Sequence, residues 1–396
     1  MLIKASWLVD RRGDLHRHGE IDTGGSTSLL ELADMILMPG LFDAHVHLDY
    51  THMAGRIPPP RSFTAWIEQI NRIKRTWTDA DFTRSILDGL TQTLDHGTTA
   101  MINWICHPRI IPSLLLHDQR IWWLWEQISL QPSPLRAKWD DWNEAIAPAA
   151  PLWQGGLAPH ALYSCHPDVL GEALSWCSLH RRTWSIHLSE STEEQDLFLN
   201  RKGPLFEFCG RLGRNMDDTG SRTPLQILLP LIASARSPGL LVHANCLSGA
   251  DIAALAAFQK RPNAPFLSIA HCPRSARYFQ HPPFPLHRLK DSGINLCLGA
   301  DSPASNTDLS LFQEMAALRA VYPNLEPSFV FRMATLHAAK ALGLENEWAQ
   351  WQDWIAIPSG KLKTKQEVWQ AITGFTGKPS FVMVDNRIAR KPQDLR

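Results

Sequence analysis

Short apolar runs punctuate this chain, and most of them carry a histidine or an aspartate at or near their ends. The earliest of the set, Met35–Leu37, meets the turn signal Met38-Pro39-Gly40 and continues into Leu41–Leu48. Others lie at Thr98–Cys106, Arg120–Leu130, Gly155–Tyr163, Thr183–Leu188, Gly239–Cys246, Pro265–His271 and Ile294–Ala300, which makes eight predicted strands with the Leu41 segment. Between them stand amphipathic or helix-forming stretches, among them Asp79–Asp95, Asp168–Ser178, Thr192–Phe208, Pro224–Ala235 and Ser248–Phe258. Strands alternating with helices over about 300 residues predict an α/β fold, a parallel (β/α)8 barrel of the TIM type. The excursion from Asp49 to Gly97 is too long for one crossover, and its Pro58-Pro59-Pro60 run predicts an ordered loop over the barrel mouth.

The two ends of the chain have a different pattern. Residues 2–37 read as short strands broken by Arg12-Gly13, Gly19 and Gly24-Gly25, without helical periodicity. Past a helix ending near Leu344 come Pro358-Ser359-Gly360 and the strand Ser380–Val384 with the turn Asp385-Asn386. The economical partition joins residues 1–40 and 345–396 in one small β-sandwich domain, with a barrel of residues 41–344 inserted between them. The chain carries no internal repeat and no low-complexity tract.

Composition mostly excludes. With 44% apolar and 20% charged residues in 396, the chain has the balance of a soluble globular protein with a sizeable core. Lys+Arg and Asp+Glu both number 39, so neither nucleic acid nor an anionic membrane is the expected partner, and a small-molecule substrate fits better. The seven cysteines form no Cys-x-x-Cys pair, which predicts reduced thiols and a cytoplasmic location. Charge interrupts the first twenty residues too early for a signal peptide, and no run approaches the ~18 apolar residues of a membrane span. The 16 tryptophans are read as core and given no function.

The chemistry sits at the strand ends, where a (β/α)8 barrel carries its reactive groups. On the first strand, period-2 alternation places His45 and His47 on one face. A chain with 17 histidines would show about one His-x-His by chance, so the remaining strands have to supply further ligands. They do: His160 follows the fourth, His187 and Glu190 the fifth, His243 the sixth, His271 the seventh and Asp301 the eighth. Apolar strands running into such groups are costly unless the groups are paired or ligated. Three imidazoles and a carboxylate, His45, His47, His187 and Asp301, suit one Zn2+ or Fe2+ with a position left for water, whose pKa the metal lowers to about 7. Glu190, three residues beyond His187, is the candidate proton shuttle, and His243 is placed to orient the nucleophile and stabilise a tetrahedral intermediate. Glu126, His160, Arg274 and Ser302 are the candidate substrate-binding residues. Other readings stay open at this level. Asp301 also suits the N-cap of a helix starting near Asn306, His243 a satisfied core histidine, His187 with Glu190 a surface ion pair, and Cys272-Pro273 a simple turn beside His271 and Arg274.

With these residues in view, the chain resembles the amidohydrolase superfamily, in the branch of cytosine, guanine and methylthioadenosine/S-adenosylhomocysteine deaminases and chlorotriazine hydrolases. The resemblance spans residues 30–344 and rests on an ordered set. It comprises PGLFDAHVHLDY from Pro39, HGTT from His96, APHALYS from Ala158, HLSES from His187, HANCL from His243, HCPRS from His271, LGADSPASN from Leu298 and MATLHAAKALGL from Met333. It implies metal ligation by His45, His47, His187 and Asp301, acid–base work by Glu190 and His243, a proton relay through Asp301, and ribose binding at Glu126 and His160. It also implies a homodimer. The Asp49–Gly55 loop and His271–Ser275 look most like the aminofutalosine deaminases of the alternative menaquinone route, whose substrate carries a carboxyphenyl group that Arg56, Arg61 or Arg274 would meet. The implied reaction is hydrolytic deamination of an aminopurine nucleoside, of the aminodeoxyfutalosine, methylthioadenosine, S-adenosylhomocysteine or adenosine type, by attack of metal-bound hydroxide. The alternative is hydrolysis of an amide, cyclic amidine or C–halide bond of another heterocycle. Two positions depart from the pattern: Glu345–Leu362 lacks the usual Gly-Lys-x-Ala-Asp-Leu-Val stretch, and Ala276 stands where many relatives have Asn. With no lysine ending the fourth strand, a bridging carbamate is unavailable and a single metal is expected.

Overall fold

Every residue of the strand β4 (Leu41–Val46) is buried, as a continuous apolar run requires of a strand covered on both faces. A computed structural model describes the chain outside residues 25–27, 59–61, 115–116, 134, 147–152 and 392–396. In it β4 opens a parallel sheet that continues in chain order through β5 (Thr98–Ile105), β6 (Arg120–Gln127), β7 (Trp153–Pro159), β8 (Trp184–Leu188), β9 (Gly239–His243), β10 (Leu267–His271) and β11 (Asn295–Leu298). These are the eight predicted strands, the β6 and β7 predictions running a few residues into the loops. Between the last strand and the first, the Val46–Asp301 bridge closes the ring, with His47 N donating to Asp301 O at 2.9 Å and Asp301 N to His45 O at 3.0 Å. Gly299 allows this approach, because a Cβ there would lie 2.8 Å from the His45 carbonyl oxygen. The architecture is the expected TIM barrel.

Three strands from the N-terminal end, β1 (Leu2–Val9), β2 (Leu15–Asp22) and β3 (Leu29–Pro39), join three from the C-terminal end, β12 (Trp354–Pro358), β13 (Phe381–Val384) and β14 (Arg387–Arg390). Their order is β14-β13-β12-β3-β1-β2, so the expected sandwich is, in its hydrogen bonding, one continuous six-stranded sheet. The stretch that matched no familiar pattern, Glu345–Leu362, supplies β12, which pairs antiparallel with β3. A helix at Lys365–Gly374, capped by Thr364 and Glu367, was not anticipated.

Helices follow their local signals where a cap and an apolar stripe agree. Asp79–Asp95 begins at a Thr78/Asp81 capping box and buries Phe82, Ile86, Leu90 and Thr93 on one stripe. The single helix expected over Thr192–Phe208 is instead broken, because Arg201 and Gly203 adopt left-handed backbone and Pro204 starts a new helix, Pro204–Arg211. The helix expected near Asn306 starts at Leu311 behind an N-cap Ser310, so Asp301 is not a cap. Within the Asp49–Gly97 excursion, a short 3-10 turn (Leu48–Met53) precedes helix α1 (Phe63–Lys74). Pro59 and Pro60 of the expected loop lie outside the described residues. No helix among the described residues is long and apolar enough to cross a membrane.

At the barrel floor, Arg120 Nε and Asp353 Oδ2 are 2.9 Å apart, Asp385 N donates to Asp353 Oδ1 at 2.8 Å, and Arg11 donates to the Trp351 and Asp353 carbonyls. Asp353 is fully buried. Asp353→Ala therefore takes a buried carboxylate from Arg120, which keeps only Asp385, and from the Asp385 N–H, and is expected to destabilise by about 2–4 kcal/mol, a fall of roughly 3–8 °C in Tm by calorimetry. A shift under about 2 °C would mean that water reaches this junction.

Candidate metal centre and its cavity

The strand ends bring the predicted ligands together. His45 Nε2 lies 3.3 Å from His187 Nε2 and 3.8 Å from Asp301 Oδ1, and the His45 and His47 rings meet edge to face at 4.8 Å. Ligand atoms of His45, His47 and Asp301 all fall within 4.8 Å of one another, as do those of His45, His187 and His243. The cluster fits a tetrahedral ion: ligand bonds of about 2.05 Å place two nitrogens about 3.3 Å apart, the spacing His45 and His187 show. Burial, with neighbouring imidazoles adding to it, draws His47 down to about 3 and His187 well below its usual value, so both present neutral nitrogens, the ligating form. Burial pushes against ionisation of Asp301, but its bond to His45 and the surrounding imidazoles outweigh it and hold the carboxyl below the ordinary range.

Local structure fixes these groups. Asp301 Oδ2 accepts from Ser275 Oγ at 2.6 Å and Ser305 Oγ at 3.1 Å, which turns Oδ1 toward His45. Asp43, buried behind the cluster, accepts from His45 N and Ala300 N and so ties β4 to the end of β11. Trp104 of β5 packs its ring 4.2 Å from that of His187, and Tyr50 stacks on His47 at 5.4 Å. Ser189, His243, Ala244 and Asp301 all have positive φ, between 50° and 70°. For residues other than glycine such backbone is strained, and these four lie at the strand ends that carry the cluster.

Glu190 is buried, and burial first, then the charges of Asp301 and Glu194, pushes its carboxyl well above the ordinary value. Its Oε1 sits 3.5 Å from His243 Nε2, while its N–H donates to Glu194 Oε2 at 2.8 Å. His243 is itself within ligand distance of the cluster. His271 stands apart, stacked on Phe284 at 4.0 Å.

Above the cluster opens a cleft of about 960 Å³, its solvent-open mouth included. It is lined by His47, His187, Glu190, His243, Asp301 and Ser302, with Glu126 and His160. Much of the rest is apolar: Phe63, Trp66, Ile67 and Ile70 from α1, with Leu130, Phe208 and Leu212. Glu126, His160 and Ser302 thus reach the cavity as expected. Arg274 does not: it is buried against Asp308 Oδ1 at 2.7 Å, and Glu314 Oε2 accepts its backbone N–H, because the turn at Cys272-Pro273 starts a short helix that carries it away. Arg56 is exposed beside Trp77, and Arg61 lies outside the described residues. The charged side chain the sequence reading missed is Lys74, at the end of α1, which lines the cavity and pairs with Glu126. Trp66, given no function from the sequence, is cavity wall. Ser275 was legible in principle, four residues past His271 in HCPRS; Lys74 had no local signal.

Comparison with known proteins places this geometry. The amidohydrolase family model matches residues 36–348. A 5′-deoxyadenosine deaminase from Methanothrix thermoacetophila is 25% identical over 378 residues, covering 87% of this chain and 82% of the relative. Among solved structures, Helicobacter pylori aminofutalosine deaminase in complex with methylthio-coformycin superposes with a TM-score of 0.86 at 17% identity, over 98% of this chain and 99% of that one. An adenosine deaminase from Xanthomonas campestris with bound zinc gives 0.80 at 20% identity, over 100% and 94%. At such identities the structural likeness speaks for the fold alone.

Proposed function

We propose that this chain, which belongs to the amidohydrolase family, is a metal-dependent hydrolytic deaminase of adenine nucleosides that carry an uncharged, apolar 5′ group. Membership makes it a hydrolase of carbon–nitrogen bonds. One observation carries the finer reading: a single cavity is lined by residues of the His/Asp cluster and Glu190, by the Glu126 carboxylate and by an apolar wall. That set of groups suits a purine, a sugar and an apolar tail.

His45, His47, His187 and Asp301 would hold one divalent ion, zinc being the best match to three nitrogens and an oxygen. Bound there, such an ion lowers the pKa of a water to about 7 and so supplies a nucleophile at neutral pH. The protein's own groups do the rest. Glu190, whose burial favours the protonated carboxyl, donates from its carboxyl oxygen to the ring nitrogen beside the amino-bearing carbon, which makes that carbon electrophilic. Asp301, its carboxylate held by Ser275 and Ser305, takes the proton that the attacking water gives up and passes it to the departing amine. His243 Nε2 stabilises charge developing on the attacking oxygen. Glu126 accepts hydrogen bonds from the sugar hydroxyls with His160 beside it, and Ser302 faces the base. The α1 wall excludes water from the tail.

The carboxyphenyl group of aminodeoxyfutalosine fits less well. Among the described residues Lys74 is the cation lining the cavity, and Glu126 already neutralises it. With zinc-loaded protein and adenine-absorbance decay as readout, 5′-deoxyadenosine and 5′-methylthioadenosine are expected to exceed adenosine 5′-monophosphate in kcat/KM by about 100-fold or more, the cost of placing an unpaired phosphate against apolar wall. No ammonia from any of these nucleosides would overturn the deaminase reading; an even rate across them would overturn the apolar tail site.

A further inference from the structure

Helix α1 crosses the cavity and is held at both ends by carboxylates from the barrel. At its start Glu193 accepts from Phe63 N at 2.8 Å, Thr64 N at 3.1 Å and Thr64 Oγ1 at 2.5 Å, where the helix dipole favours an anion. At its last residue Lys74 turns inward. Its Nζ lies 2.6 Å from Tyr50 Oη, 3.2 Å from Cys106 Sγ and 4.0 Å from Glu126 Oε2. The Cys106 thiol donates to the same Oε2 at 2.7 Å, and the Tyr50 hydroxyl lies 3.0 Å from that sulfur.

This arrangement leaves the two oxygens of Glu126 unequal. Oε2 is engaged by the thiol and the ammonium; Oε1, 3.8 Å from His160 Nε2, is the one left for a ligand. Glu126 is almost fully enclosed, its side chain 4% exposed, and a carboxylate so placed stays ionised only beside a positive charge. Burial alone would raise it, yet the Lys74 ammonium, the largest opposing influence, helps bring it to about 2. Lys74 in turn donates to Tyr50 and Cys106, and its charge is already balanced by Glu126, so it is no free site for an anionic substrate.

We propose that Lys74 is a positioning residue that determines specificity: with Tyr50 and Cys106 it holds Glu126 as a charged carboxylate whose Oε1 accepts hydrogen bonds from a vicinal diol. The inference rests on the reading of Glu126 as the sugar acceptor. Because the same helix carries Phe63, Trp66, Ile67 and Ile70, recognition of the diol and enclosure of the apolar tail depend on one element.

The test compares adenosine with 2′,3′-dideoxyadenosine on the metal-loaded full chain. Lys74→Met is expected to raise KM for adenosine by about 10–100-fold with kcat within about threefold, and to leave KM for the dideoxy compound unchanged. Glu126→Gln is expected to do the same, and adding Lys74→Met to it to change KM by less than about threefold further. If Lys74→Met does not fold, Lys74→Gln carries the same expectation. An equal rise of KM for both nucleosides, or a loss in kcat alone, overturns the role of Lys74. If Glu126→Gln keeps the preference for adenosine, the reading of Glu126 itself falls; if it loses the preference while Lys74→Met keeps it, only the role of Lys74 does.

Discussion

Glu190→Gln is expected to lower the turnover of 5′-deoxyadenosine by about 10³-fold while leaving metal content and Tm unchanged, since general acid–base catalysis of this kind contributes about 10²–10⁴. The amide keeps the size and the hydrogen-bonding edge of the carboxyl, so packing against His243, 3.5 Å from Oε1, is preserved. It cannot release a proton to a ring nitrogen and recover it. The acid is well placed to do so: buried, pushed well above the ordinary carboxyl value, and fixed by Glu194 below its backbone N–H and by Asn245, which donates to its carbonyl at 3.1 Å. Ammonia release under saturating nucleoside is the measurement. A loss smaller than about tenfold would move the proton role to another group, His243 being the nearest.

His187→Ala is expected to remove the bound ion and with it at least about 10⁴ of the rate, because without a metal a water keeps its ordinary pKa, near 15.7 rather than near 7. The substitution leaves His45 Nε2, 3.3 Å away, without the partner that shares the ion, and three remaining ligands around a vacated side-chain volume no longer approach a tetrahedron. Metal content by plasma emission and competition with a zinc-binding dye read the first effect; nucleoside turnover reads the second. A variant that retains one equivalent of zinc and full activity would show that His243, also within ligand distance, completes the site in its place.

Much of this site was legible because it is written at strand ends. An apolar run with a histidine at or next to its end needs no tertiary information to be noticed: β9 and β10 end on one, and β4 and β8 carry one at the residue before last. Asp301 was legible for its type, while its alternative as a cap fell only when the chain was seen to wait until Ser310 for a helix. Arg274 misled for a physical reason. A cation in a motif beside the site looks available, but the turn at Pro273 delivers it to Asp308 and Glu314, behind the wall. Lys74 erred in the opposite direction: an ordinary basic residue in the last turn of an amphipathic helix, it reads as solvated until α1 is laid across the barrel.

Alternation of period and the polar groups that end each apolar run determined the barrel, the identity of the cluster and the acid beside it, because those features depend on neighbours one to four residues away. Which cation sits in the cavity, which oxygen of Glu126 remains for a ligand, and how His45 comes to face Asp301 depended on contacts between residues 52 to 256 positions apart. Such contacts form only when the ring closes and α1 folds over it, and no local pattern in the chain encodes the distance between groups on different strands.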